Sequence, residues 1–516
     1  MHHASRRDIL TAVAGLTAAQ AIPVLPFTRS AMAQASPAGA PLSAAAIVAA
    51  IREKRMTATD AVKAALARAE QMKHLNAFIT LNADGALAAA TKIDAMVAAG
   101  QPLPPLAGLP IVVKDNINTA DMPTTGGTEA LRHARPKANA PSLQKLIDAG
   151  AIVIGKTNLH ELAFGITSTN AASLAGHVKN PHDITRIPGG SSGGTAAAIA
   201  AGIVPAGLGS DTGGSTRLPA ALTGTVGFRP SVGNGGAERR YHDANAVVPI
   251  SRTRDTIGPM GRTVADVVLL DAAITETAVA APAQLKGKRF GIPASFWSGL
   301  DPELETVARA ARGKLESAGV VLVEVDLPGL ADLNAKVSFP VALHEPVDDI
   351  PAYLKASGIE GVTLADIAGQ IKSPDVQGAF GAIMKDAFGK DYPDAMKVHR
   401  PALQKLYADY FKTNNLDAML FPTTPAPAVP IDAEKGSGDM SIAGGKPAPT
   451  FGTMIRNTDP GSNAGIPGLS VFAGMTKGGL PVGIEIDGPL GSDMALLSLG
   501  LAMESVLGTA PALAAR

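Results

Sequence analysis

Residues 188–230 read PGGSSGGTAAAIAAGIVPAGLGSDTGGSTRLPAALTGTVGFRP. Glycine this dense would suit a flexible linker, but the interior speaks against one. TAAAIAA is a helix of small residues, Ile203 to Leu208 is a strand candidate, and Leu222 to Phe228 is another. The glycines stand at the junctions between these elements, where a backbone turns tightly or comes close to a ligand. Upstream, Leu109 to Val113 is a short β-branched run ended by Lys114-Asp115-Asn116, which reads as a buried strand with a polar end. A helix (SLQKLIDAG) and a second strand (AIVIG) follow. Strands alternating with helices indicate an α/β fold, with helices covering both faces of one large sheet.

Further upstream, helices are expected over Leu42 to Arg55, from Thr59 through AVKAALARAEQMK, and over ALAAATKIDAMVAAG up to Gly100. The pattern divides into a helical segment at 40–100, a core at 101–272, a more helical and less glycine-rich region at 273–440, and a return to the sheet at 441–516. That return is carried by GIPGLSVFAG and GLPVGIEIDG. Residues 1–33 read as an export signal: Arg6-Arg7 precede an apolar stretch from Ile9 to about Phe27, and Ala31-Met32-Ala33 is a small-x-small cleavage site. The arginine pair resembles a twin-arginine signal, which places the mature chain in the periplasm or outside the cell, and otherwise in the cytoplasm if uncut. Pro23 and Pro26 interrupt the apolar stretch, against a spanning helix.

The 516 residues include 45 basic and 45 acidic side chains, which offers no concentrated positive field for nucleic acid or an anionic membrane. Hydrophobic residues make up 46% of the chain, enough for a large core. With no cysteine, thiol nucleophiles, disulfides and cysteine-based zinc sites are excluded.

Hydrolysis of a stable amide requires a nucleophile, a group that takes and returns its proton, and donors for the tetrahedral oxyanion. Asp211-Thr212-Gly213-Gly214-Ser215-Thr216-Arg217 follows a strand candidate and leaves backbone amides uncovered. The amides of Thr212, Gly213, Gly214 and Ser215 are oxyanion-hole candidates, and Ser215 presents a hydroxyl beside them. No histidine falls in the glycine loops. A lysine serves as base if burial strips its proton; bringing it from about 10.4 to about 7 costs roughly 4–5 kcal/mol. Lys114, at the end of an apolar strand, has that setting, and Ser191 and Ser192 in GGSSGG bridge toward Ser215.

These motifs resemble the amidase-signature family. The family's central segment is GGSSGG, a small-residue helix, then D-x-GGS-x-R, with Ser191 and Ser215 at its separation of 24. GLPIVVKDN matches its lysine motif, and DTIGPMGRTVADV (255–267) and GLPVGIEI (479–486) match its flanking motifs. The resemblance implies the amidase-signature fold with a mixed, mostly parallel sheet. It puts the catalytic lysine on Lys114, the cis-peptide serine on Ser191 and the acyl-forming nucleophile on Ser215. Ser192, Asp211 and Arg217 are implied as supports, with no metal and no organic cofactor. The partners are a small-molecule amide and water, with no nucleic acid, no membrane after signal removal, and a monomeric or homodimeric chain. Thr195, Phe228 and Arg229 depart from the family's usual Ser, Leu and Lys, outside the triad.

Other readings compete. Gly189 to Gly193 fits the G-x-S-x-G elbow of α/β-hydrolase esterases, which would make Ser191 the nucleophile, but that fold needs a late histidine and the last here is His399. Ser142 and Lys145 fit S-x-x-K without its partner motifs and read as helix surface. The glycine loops could also hold an anion in an inactive binding module. His160 and Glu161 read as helix-surface or packing residues; His177, His182 and His242 are candidates for a substrate mouth. Phe451, Met454 and Ile455, in the loop 435–463, are expected to wall an acyl pocket. The preferred substrate is a primary arylacetamide such as indoleacetamide, with esters, anilides, urethanes and peptide amides as alternatives.

Overall fold

Ile111, Val112 and Val113 offer no polar face, and the strand they form, Pro110–Lys114 (β2), is buried at every position. The computed structural model describes residues 42–513, apart from 437 and 443. The expected export signal at 1–33 lies outside these residues, which form one compact unit. The first two helices begin where the sequence supplies caps. Ser43 Oγ accepts from the Ala46 amide at the head of Ala44–Arg52, and Thr57 accepts from the Asp60 amide at the head of Ala58–Gln71. The third expected helix forms as Ala83–Ala98.

Beside β2 the strands are Phe78–Leu81 (β1), Ile152–Thr157 (β3), Ala206–Asp211 (β4), Val226–Arg229 (β5), Thr256–Gly261 (β6), Arg289–Ile292 (β7), Val321–Glu324 (β8) and Ala418–Pro422 (β9). Asp439–Met440 (β10) and Ala448–Pro449 (β11) form a separate pair, and Gly468–Met475 (β12) and Pro481–Asp487 (β13) complete the set. Eleven of them make one mixed sheet in the order β1-β3-β2-β4-β6-β5-β12-β13-β9-β7-β8. The expected α/β architecture is present, and β7, β8 and β9 from the 273–440 stretch lie in the same sheet. The weight given to parallel pairing is corrected. Parallel pairs are β2–β3, β2–β4, β7–β8 and β7–β9, while the other six are antiparallel. The reason lies in the connections. Parallel neighbours need a crossover such as the helix Pro141–Asp148 between β2 and β3, whereas β12 and β13 are joined by a short turn.

Two further expectations change. Leu222 belongs to the helix Arg217–Thr223, which ends at Gly224 in the left-handed region (φ 73°), so the strand starts only at Val226. The expected loop at 435–463 contains β10, β11 and two short helices, Thr450–Ile455 and Asp459–Ala464.

The helix Arg217–Thr223 lies on β5, β12 and β13 at very close range. A Cβ on Gly483 would sit 2.5 Å from Ala221 Cβ and 2.7 Å from Ala221 Cα. Gly483→Val therefore pushes this helix off β13. We expect a loss of stability at or above the about 1–3 kcal/mol typical of overpacking, read as a lower thermal midpoint, with activity lost alongside because the helix carries Arg217.

Candidate active site

Parallel pairing of β2 with β4 brings their carboxyl ends together, so Lys114 emerges beside Ser210 and Asp211. Lys114 is 0% exposed. Its Nζ lies 2.7 Å from Ser191 Oγ and 2.8 Å from Ser210 Oγ, and Asn116 Nδ2 donates to the same Ser210 oxygen at 2.9 Å. Burial pushes the Lys114 ammonium down to about 7, against the attraction of Asp211 and Asp255, which acts upward. The expected cis peptide is present at Gly190–Ser191. The Ser192 amide donates to Ser215 O at 3.2 Å, which joins the two glycine loops. Ser192 Oγ is held by the Ser210 backbone, donating to its carbonyl at 3.2 Å and accepting from its amide at 3.3 Å.

Asp211 organises the second loop. Its carboxylate accepts from the amides of Gly214 (2.9 Å) and Thr216 (3.1 Å), from Thr216 Oγ1 (2.9 Å), and from Arg217 and Arg229 at 3.1 Å. Burial alone would raise this carboxyl, but the two guanidinium groups hold it well below the usual carboxylate range. Arg217 also reaches Glu485 at 2.5 Å and Ser462 Oγ at 2.6 Å. One of the four expected oxyanion donors is corrected here: the Gly214 amide is committed to Asp211. Among the described residues the amides of Thr212, Gly213 and Ser215 donate to no protein group, and all three residues line one cavity of about 350 Å³.

That cavity is mostly apolar. Phe164, Ile166, Ile250, Phe339, Leu343 and Phe451 contribute to its wall, with Ser215 at one end. Phe339 and Phe451 stack with centroids 6.2 Å apart and planes at 26°. Phe451 and Ile455 line the cavity as expected, but Met454 does not: it is fully buried in a small cluster that includes Leu218, Leu222 and the wall residue Ile166. Neither Ser191 nor any histidine lines it. His182 instead contacts Thr223 O at 3.0 Å. His160 and Glu161 are packing residues, wholly buried and not on a helix surface. His160 Nε2 lies 3.0 Å from Asp375, which does line the cavity, and Glu161 accepts from Thr128 Oγ1 and the Lys372 and Ser373 amides. Ser142 is buried against Asp243, while Lys145 pairs with Glu276 at the surface.

The sequence reading missed Ser210, Asn116 and the Arg254–Asp459 pair. Asn116 was visible in GLPIVVKDN, two residues beyond the lysine. Arg254 and Asp459 are 205 positions apart and meet only in the fold, at 2.7 Å, where Arg254 also donates to Thr212 O at 3.2 Å.

A family model described as Amidase matches residues 60–497. The chain belongs to the amidase family. Its large mixed sheet and its structural neighbours agree with the amidase-signature fold. It is 41% identical to a mandelamide hydrolase of Pseudomonas putida over 477 residues, 89% of this chain and 90% of that protein. It is 41% identical to an indoleacetamide hydrolase of Agrobacterium vitis over 461 residues, covering 89% and 95%. Among solved structures it matches the peptide amidase of Stenotrophomonas maltophilia with a TM-score of 0.76 and 29% identity, covering 91% of this chain and 98% of that one. This amidase is thus a hydrolase that acts on amides.

Removing Asp211 leaves two buried guanidinium groups without their shared carboxylate. Asp211→Ala should lower stability by about 3–5 kcal/mol, the range for a broken buried pair, and release the 212–216 turn. A fall in thermal midpoint with faster amide exchange at 212–216 is the expected result.

Proposed function

We propose that this amidase hydrolyses a primary carboxamide of an arylacetic-type acid through an acyl ester on Ser215, with Lys114 as the base acting through Ser191. The observation that carries the reading is a wholly buried amine 2.7 Å from Ser191 Oγ, in a loop whose next amide, that of Ser192, donates to the carbonyl of the cavity-lining Ser215 at 3.2 Å. The uncharged amine accepts the Ser191 proton as Ser191 Oγ accepts that of Ser215, whose oxygen bonds to the carbonyl carbon. The amides of Thr212, Gly213 and Ser215 take the negative charge that develops on the carbonyl oxygen. When the C–N bond breaks, Ser191 delivers its proton to the leaving nitrogen, Lys114 returns one to Ser191, and ammonia departs. Water then attacks the ester by the same route, giving the acid and restoring Ser215.

The acyl group is read from the wall of the cavity. Phe339, Phe451 and Phe164 suit an aromatic ring, since aromatic pairs contribute beyond the area they bury. The relatives named mandelamide and indoleacetamide hydrolase support the same class. For the compartment, Arg6-Arg7 and Ala31-Met32-Ala33 favour export as a folded chain; a mature N-terminus at Gln34 in the periplasmic fraction, lost when both arginines become lysine, is the expected outcome.

Trapping the acyl-enzyme tests the chemistry. Ser215→Ala should form no adduct and lose at least about 10⁴-fold in kcat; an adduct on Ser191 in that variant would sink the assignment. Because only the amine form of Lys114 accepts a proton, kcat/KM should rise with pH and level off above about 7. Phe451→Ala should raise KM about threefold to tenfold for arylacetamides while sparing short aliphatic amides, measured on a matched substrate panel.

A further inference from the structure

β2 and β3 are parallel neighbours, with Val113 opposite Lys156 and Lys114 opposite Thr157. Successive residues of a strand face opposite sides of its sheet. Lys114 therefore faces Ser191 and Ser210 on one side, while Asp115 and Lys156 meet on the other.

The surroundings of Lys156 differ from those of an ordinary buried lysine. Its Nζ lies 2.8 Å from Ile117 O, 2.9 Å from Thr124 Oγ1, 3.1 Å from Pro123 O, and 3.2 Å from both Thr119 Oγ1 and Asp115 Oδ1. An ammonium has only three N–H bonds. Five oxygens at these distances surround it as they would a monovalent cation. All five belong to residues 115–124, the turn that leaves β2 directly after Lys114. The other Asp115 oxygen accepts from the Thr125 amide at 3.1 Å and from Thr125 Oγ1, which closes the turn at its far end. Lys156 and Asp115 are both 0% exposed. Burial favours the neutral form of each, and their opposite charges work against that.

We propose that Lys156 is a positioning residue whose ammonium, acting as a tethered monovalent cation, gathers residues 115–124 into one turn and thereby fixes Lys114 against Ser191 and Ser210. The inference rests on the role given to Lys114 above, but it concerns a group on the far face of the strand. Lys156 itself does not line the cavity. Four of its five oxygen partners are neutral, so a cation of similar size held in the same cage would serve the same purpose.

The test is Lys156→Ala, which removes the ammonium and leaves space for an ion. It is assayed on a primary arylacetamide in potassium chloride and in choline chloride at equal ionic strength, choline being too bulky for the cage. In choline, kcat should fall about tenfold to a hundredfold, as expected for a displaced catalytic group, with KM moving less than about threefold. Potassium should restore most of the loss with a saturating dependence. A folded Lys156→Ala enzyme with wild-type kcat in choline overturns the proposal, and so does a loss that potassium does not repair. If the alanine variant does not fold in choline, Lys156→Met keeps the bulk without the charge. Reduced kcat at unchanged KM in that variant supports the proposal, and wild-type kcat overturns it. Failure of the functional reading would show separately, as turnover that survives Ser215→Ala.

Discussion

Everything at the centre of this amidase depends on a lysine kept away from water. In solvent its amine would hold a proton throughout the neutral range, and Coulomb attraction to Asp211 and Asp255 would tighten that hold. Burial reverses the balance because an ion loses its hydration when enclosed, and here that loss exceeds the attraction. The enclosure is built from ordinary parts: an apolar strand, a glycine loop too small to leave gaps, and two hydroxyls that hydrogen-bond to an amine whether or not it is charged. Asp211 stays ionised nearby because its charge is matched by Arg217 and Arg229 rather than by the lysine.

That matching also explains the stiffness of the loop beside Ser215. A five-residue turn rich in glycine would have many conformations if left to itself. Asp211 removes them by holding the amides of Gly214 and Thr216, and Arg217 ties the carboxylate to Glu485 and Ser462 on the C-terminal part of the chain. Arg254 and Asp459 brace the same turn from the other side. The amides that remain uncommitted point where no protein group meets them. Their orientation is set before any ligand arrives, which is the condition for donors to act without reorganisation.

Much of this was legible in the residues. The β-branched run ending in Lys114, the paired glycine loops and the small-residue helix each carry a local physical signature, and the structure places them as expected. What escaped had no local signature. Strand direction depends on how connections cross the sheet, so the antiparallel majority could not be read from buried strands, which look alike in either sense. The Gly214 amide looked as available as its neighbours, because its use by Asp211 is a matter of loop conformation. Leu222 looked like strand because a short apolar stretch fits either element until its length and its terminating glycine are known. Arg254, Asp459 and the pocket-lining Asp375 come from segments far apart in the chain, and the missing information there is tertiary.

The order of the sheet has a consequence for how the chain is made. β12 lies between β5 and β13, with Gly468 opposite Arg229, and β13 in turn holds β9. The two halves of the sheet are thus joined by a hairpin from the last tenth of the sequence, about 240 residues from its partner on one side. Pairings across such separations form slowly and expose strand edges meanwhile. A ribosome must therefore release nearly the whole polypeptide before the sheet can close, and a chain cut short before residue 468 would leave β5 and β9 as open edges, ready to join another molecule.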